Sequence, residues 1–168
     1  LTVYGEQVHV AYPHLANNPL HRLLMMLAPL KTGVLDKGND IFDPTTAAIT
    51  SIDTGNPATN VIPATCKARF NIRFGTAQTA AGLEDMLRAH FDQIGGEYVA
   101  AFRLSAEPFV TPKGDFSDLV AHAIHDVTGI KPALSTSGGT SDARYFAPYT
   151  EVLEFGLVGK TMHKIDEA

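Results

Sequence analysis

The chain has 168 residues, 45% of them hydrophobic and 18% charged, with a formal net charge of −5 at pH 7. This is the composition of an ordinary globular protein of one or two small domains, and it excludes a disordered or low-complexity chain. The negative balance, without any block of like charge, argues against nucleic acid or an anionic membrane surface as the main partner.

The longest apolar run, Leu23 to Leu30, contains Pro29 and is too short to span a bilayer. No stretch reads as a secretion leader. The single cysteine, Cys66, has no internal disulfide partner, which fits a reducing compartment.

Leu1 to Val10 alternates loosely and is rich in Val and Thr, which predicts a strand that delivers His9 to its end. Tyr12-Pro13 breaks it. Asn18 and Pro19 form a helix start, and Leu20, Leu23, Leu24 and Leu27 follow at helical spacing as one apolar stripe that ends at Pro29. A polar loop from Asp36 to Pro44 leads into a strand over Ala47 to Asp53, then turn chemistry at Thr54-Gly55-Asn56-Pro57.

The clearest alternation follows. Cys66, Ala68, Phe70, Ile72 and Phe74 lie on one side and Lys67, Arg69, Asn71 and Arg73 on the other, so one face is buried and one is basic. Cys66 is expected to be a buried, inert thiol with no cation beside it. Thr79 caps a second helix with Leu83, Leu87, Phe91 and Ile94 inward, closed by Gly95-Gly96, and Tyr98 to Leu104 is a further strand.

Strand, helix, strand, strand, helix, strand is the order of a ferredoxin-like split βαβ sandwich, an antiparallel sheet with both helices on one face. The expected fold class is therefore α+β. This domain is assigned to residues 1–107, with Pro108 and Pro112-Lys113-Gly114 as the linker out of it. Beyond it, Phe116, Leu119, Val120, Ala123, Ile124 and Val127 form the stripe of a third helix that stops at Gly129. Pro132 to Leu134 then enters the loop Ser135-Thr136-Ser137-Gly138-Gly139-Thr140-Ser141-Asp142-Ala143-Arg144, and Glu151 to Val158 reads as a buried strand. So few elements make too small an independent core, and residues 108–168 read as part of an α/β domain. The start at Leu1 without methionine, inside a strand, and the stop at Ala168 lead us to expect a fragment.

Adjacent glycines in that loop let backbone N–H groups approach a ligand, and Asp142 and Arg144 add charges of both signs. These two serve either a ligand or, as a local ion pair, the shape of the loop. The loop lacks the lysine of a P-loop, and no G-x-S-x-G elbow occurs. His122 and His125 with Asp118 and Asp126 lie opposite the apolar stripe of the third helix and are expected to be a solvated face. His14, His21 and His90 have no arguable partner.

In chain order, Val8-His9-Val10-Ala11-Tyr12-Pro13-His14 followed by Leu15-Ala16-Asn17-Asn18-Pro19, Asn60-Val61-Ile62-Pro63, Phe70-Asn71-Ile72-Arg73-Phe74, the Gly-rich loop, Glu151 to Val158 and Thr161-Met162-His163-Lys164 resemble the succinyl-diaminopimelate desuccinylase family. These are two-zinc amidohydrolases of the aminoacylase and carboxypeptidase clan. The resemblance covers essentially the whole chain. It implies that residues 1–107 are a lid and dimerisation domain. Residues 108–168 would be the C-terminal part of a zinc-hydrolase catalytic domain, lacking its N-terminal half and last helix.

The activity implied is hydrolysis of N-succinyl-LL-2,6-diaminopimelate to succinate and LL-2,6-diaminopimelate, in lysine and diaminopimelate biosynthesis, by a cytoplasmic homodimer holding two Zn²⁺, or Co²⁺ in their place. His163 would be a metal ligand, and His9 would stabilise the oxyanion in the partner subunit's active site. Tyr12, Asn60, Arg73, Gly139 and Thr140 would bind substrate, Arg73 through a bidentate grip on a carboxylate. With one metal ligand in the chain, the isolated 168 residues are expected to bind zinc weakly and to be inactive.

The resemblance departs at Val8, where family members usually carry glycine. A related deacylase such as acetylornithine deacetylase shares the zinc chemistry, and the sequence does not fix the acyl group. A non-catalytic ferredoxin-like dimerisation module is the other alternative, but it would need neither the Gly-rich loop nor the His163 motif.

Overall fold

The alternation around Cys66 becomes the central strand of a four-stranded sheet. A computed structural model describes residues 1–136, 142–156 and 164–165 and divides the chain into two units, Leu1–Pro108 and Phe109–Ala168. The first unit carries strands β1 (Thr2–Tyr4), β2 (Val8–His9), β3 (Thr46–Asp53), β4 (Val61–Ile62), β5 (Thr65–Arg73) and β6 (Tyr98–Val99). Its helices are α1 (Pro19–Met26), α2 (Ala28–Lys31) and α3 (Ala80–Ile94), with a 3₁₀ turn at Pro13–Leu15. The second unit carries α4 (Asp115–Thr128) and α5 (Ala143–Phe146).

The sheet order is β3-β5-β1-β6, with every neighbouring pair antiparallel, Val3 opposite Cys66 and Ala47 opposite Ile72. With α1 packed on β1, β5 and α3, this is the α+β split βαβ arrangement that the element order implies. Val3, Cys66 and Ala68 from the sheet meet Leu23, Met26, Leu27 and Leu30 from the first two helices and Leu87 and Phe91 from α3 in one core. Asn18 caps α1 by accepting the Leu20 N–H at 3.0 Å, and Thr79 caps α3 by accepting the Gly82 N–H at 3.0 Å.

Several local expectations are corrected. The strand foreseen from Leu1 to Val10 breaks at Gly5, because the chain there bends so close to the start of α1 that a Cβ would fall on the Asn17 carbonyl and the Pro19 ring. His9 therefore belongs to a separate two-stranded sheet, β2–β4. Pro29 does not end the helical region; it occupies the first turn of α2, where its missing N–H costs nothing.

The buried stripe of α1 is Pro19, Arg22, Leu23 and Met26, offset by one residue from the leucine stripe, so that Leu24 is 60% exposed. The offset is possible because the Arg22 guanidinium finds carbonyl acceptors inside. The strand foreseen over Tyr98 to Leu104 stops at Val99, since the three residues of β1 offer β6 only Thr2 and Val3 as partners. Beyond it Arg88, not a ladder, holds the chain, donating to the Ala100 carbonyl at 3.1 Å.

In the second unit, Gly129 closes α4 in the left-handed conformation, φ 71°, donating its N–H to the His125 carbonyl. The predicted apolar stripe of α4 is largely uncovered, with Leu119 67% and Val127 87% exposed. The predicted buried strand is not formed over residues 151–156, and Phe155 is exposed. A strand needs a neighbouring strand to complete its ladder, and the described residues of this unit include none. Its remainder, residues 157 and 158, lies outside the described residues. No helix among the described residues is long and apolar enough to cross a membrane.

Candidate functional site

The β2–β4 pair forms a short arm at one end of the main sheet. Val8 pairs with Ile62 and His9 with Val61, and the Val10 N–H donates to the Asn60 carbonyl at 3.0 Å. His9, Tyr12 and Asn60 are all exposed on it. The His9 Nδ1 accepts the Ala11 N–H at 3.1 Å, which places the proton of a neutral imidazole on Nε2 and leaves Nε2–H as a donor.

The Tyr12 ring lies 6.2 Å from that of His9, and the Tyr12 N–H donates to the His9 carbonyl at 2.9 Å. Asn56, which the sequence marked only as turn chemistry, fastens the other side of the arm: its Nδ2 donates to the Val61 carbonyl at 2.9 Å and its Oδ1 accepts the Ala58 N–H at 3.1 Å. Val8 sits in extended backbone opposite Ile62, a setting that suits a β-branched side chain.

Arg73 is at the far end of the same sheet, exposed and opposite Thr46. The nine residues of β5 put about 26 Å between its ends. The structure thus brings His9, Tyr12 and Asn60 together and sets Arg73 apart from them. Lys67 and Arg69 share its exposed strand face, with Asp53 opposite Lys67.

The loop from Asp36 to Thr45 wraps the Arg73 end. The Asp36 Oδ1 accepts the Thr45 N–H at 2.7 Å and the Gly38 N–H at 2.8 Å. Hydrogen bonding from Thr45, helped by the Gly38 N–H and the Gln78 side chain, outweighs desolvation and holds the Asp36 carboxyl down at about 2. Asn39 donates from Nδ2 to the Thr76 hydroxyl at 3.2 Å, and Phe42 lies so close to Gly75 that a Cβ there would overlap its ring.

Gly139, Thr140 and His163 lie outside the described residues. Among the described residues no group of three or more His, Cys, Asp or Glu side chains can hold a metal ion. His122 contacts the Asp118 carbonyl at 2.7 Å through Nδ1 and His125 approaches Asp126 at 3.8 Å, both in the open, as a solvated face would be. No ion pair joins Asp142 and Arg144 among the described residues; the Arg144 guanidinium instead lies 4.9 Å from the Tyr145 ring centroid.

Cys66 is buried as expected, yet a cation does stand near it. Burial pushes the thiol up, and the Arg22 charge opposes that shift. Arg22 went unseen in the sequence, and its signal was positional: it lies three residues from Pro19 and four from Met26, on the face that turns inward.

Residues 1–99 match the peptidase dimerisation domain family. Over 167 residues the chain is 53% identical to a succinyl-diaminopimelate desuccinylase of Rhodospirillum centenum, covering 99% of this chain and 43% of that protein. It is 47% identical to the enzyme of that name from Roseobacter denitrificans, covering 99% and 45%. The chain thus spans less than half the length of these relatives.

Among solved structures, the aminopeptidase PepT of Bacillus cereus superposes with a TM-score of 0.69 at 20% identity, covering 89% of this chain and 40% of that one. A tripeptidase of Staphylococcus aureus does so with 0.69 at 18%, covering 88% and 39%. At such identities the likeness is one of fold. The family match over most of the first unit, on the sheet order described above, establishes that the chain belongs to the M20 peptidase dimerisation domain family.

Proposed function

We propose that the chain is part of an amide hydrolase that converts N-succinyl-LL-2,6-diaminopimelate to succinate and LL-2,6-diaminopimelate, in the cytoplasm, for lysine and diaminopimelate synthesis. The names of the relatives support this reading, since the identity of 47–53% runs over 99% of the chain. The first unit is then the lid and dimerisation domain of a homodimer. The whole enzyme is proposed to use two Zn²⁺, or Co²⁺, with His163 as this chain's ligand. The described residues do not themselves fit a metal site. The 168 residues alone are accordingly proposed to be inactive.

The observation that carries the reading is the hydrogen bond from the Ala11 N–H to the His9 Nδ1. It leaves a neutral imidazole with Nε2–H as its donor, the group required to stabilise an oxyanion as an amide carbonyl is attacked. Asn60 and Tyr12 on the same arm are proposed to hydrogen-bond the substrate. The fork of Arg73 is proposed to hold a carboxylate, and Gly139 and Thr140 to bind it from the Gly-rich loop.

The full-length enzyme containing this chain should hydrolyse the succinylated diaminopimelate with a higher kcat/KM than N-acetylornithine. The opposite preference would reassign the acyl group. His9→Ala in that enzyme should lower kcat by about 10²–10³, and an unchanged kcat would remove His9 from the chemistry.

A further inference from the structure

The arm that carries His9 is held at its root by a buried arginine. Arg22 is 8% exposed, and its guanidinium donates through one terminal nitrogen to the Tyr4 carbonyl, the last of β1, and through the other to the Gly95 carbonyl at the end of α3, 3.5 Å away. A Cβ on Gly96 would fall on that guanidinium, so the backbone beyond α3 closes over it. One residue past Tyr4, Gly5 packs against the Asn17 carbonyl and the Pro19 ring while its N–H donates to the Ala64 carbonyl at 2.7 Å. The Glu6 N–H reaches the Asn17 carbonyl at 3.3 Å. The point where the main sheet gives way to β2 is therefore tied to α1, to α3 through Arg22, and to the residues that follow β4.

Stability alone does not explain this arginine. Its Nε is buried without an acceptor, and a buried cation whose donors are incompletely matched is costly. A hydrophobic side chain of similar volume would carry no buried charge, though the Tyr4 and Gly95 carbonyls would lose this donor. What only a guanidinium can do is bridge two carbonyls from different elements, and one of them lies at the root of the His9 arm.

We propose that Arg22 and Gly5 are positioning residues, which set the direction of the β2–β4 arm and so keep His9 with Nδ1 on the Ala11 N–H and Nε2–H free to donate. The inference rests on the catalytic reading of His9 given above, and its test separates the two. In the 168-residue chain, ¹⁵N imidazole shifts report the His9 tautomer without any activity. Wild type should show the Nε2–H form alone, and Arg22→Met a mixture of tautomers. In the full-length enzyme Arg22→Met should lower kcat about tenfold with KM changed less than about twofold, and Arg22→Lys, which keeps a donor for Tyr4 but loses the fork, should recover only part of the loss.

An unchanged His9 tautomer in folded Arg22→Met overturns the proposal. So does a fall in melting temperature with kcat intact, which makes Arg22 structural only. If Arg22→Met does not fold, Gly96→Ala, whose methyl displaces the guanidinium, takes its place with the tautomer reading. If His9→Ala leaves kcat unaltered, the catalytic reading fails while the tautomer measurement still decides the positioning.

Discussion

Burial, more than residue type, decides what the single polar and reactive side chains of this chain do. Cys66 is 1% exposed and its thiol is pushed up by that burial, so the folded chain should resist a thiol reagent at about pH 8 and react only when unfolded. Labelling at the rate of a free thiol would mean that β5 opens in the native state. Arg73, by contrast, is in the open and is proposed to bind through geometry that a lysine lacks. Arg73→Lys in the full-length enzyme should raise KM for the succinylated substrate by about tenfold with kcat little changed, and an unaltered KM would leave Arg73 a solvated cation. His9, Asn60 and Arg73 could be singled out in the sequence because motifs surround them. Arg22 was not, because a sequence does not say that two carbonyls from β1 and α3 will stand ready to receive a charge on the inward face of a helix.

At the level of elements, side-chain pattern was a good guide where a neighbour exists to reward it. β5 and α3 follow their alternation and their stripe, since each buries its apolar face in the same core. Residues 151–156 carry a similar pattern and form no strand, since no described strand of their unit lies beside them to complete a ladder. The two residues each of β2 and β4 are too few for any periodicity, so the arm could not be foreseen as a separate sheet.

The Asp36–Thr45 loop was equally hidden, being held by hydrogen bonds instead of apolar spacing. Hydrogen bonds from Thr45 and Gly38 hold its carboxyl down at about 2. A depressed carboxyl contributes stability that is complete above the unfolded value and is lost as pH falls through the folded one. Asp36→Asn should therefore melt below wild type at neutral pH, with the gap closing as pH falls from 3.8 towards about 2. A gap independent of pH would assign the effect to packing. Gly75→Ala, whose methyl meets Phe42, should destabilise the same end by about 1–3 kcal/mol in denaturant titration.

At the level of the whole molecule, Arg73 lies at the far end of the main sheet from the His9 arm, and the proposed homodimer offers a way for one chain's arm and its partner's Arg73 to serve one site. The outer edge of β3 is covered at its start, where the Ala47 N–H donates to the Gly33 carbonyl and Thr46 pairs with Val34. From Ala48 to Asp53 it has no sheet neighbour on that side among the described residues. A two-fold copy laid antiparallel along this edge sets Asp53 of each chain towards Thr46 of the other. Asp53 marks the end with the His9 arm and Thr46 the end with Arg73, so in such a dimer each arm would lie at the sheet end that carries the partner's Arg73.

Full-length subunits carrying His9→Ala and His163→Ala should each be nearly inactive as homodimers. Mixed by unfolding and refolding in equal amounts, about half of the dimers pair one of each, and in these the subunit with intact His163 receives an intact His9. One of two sites is rebuilt, which gives roughly a quarter of wild-type activity if the sites are independent. If His9 serves its own subunit, every site in the mixture lacks one group and activity stays at the homodimer background, which would rule out the exchange between subunits.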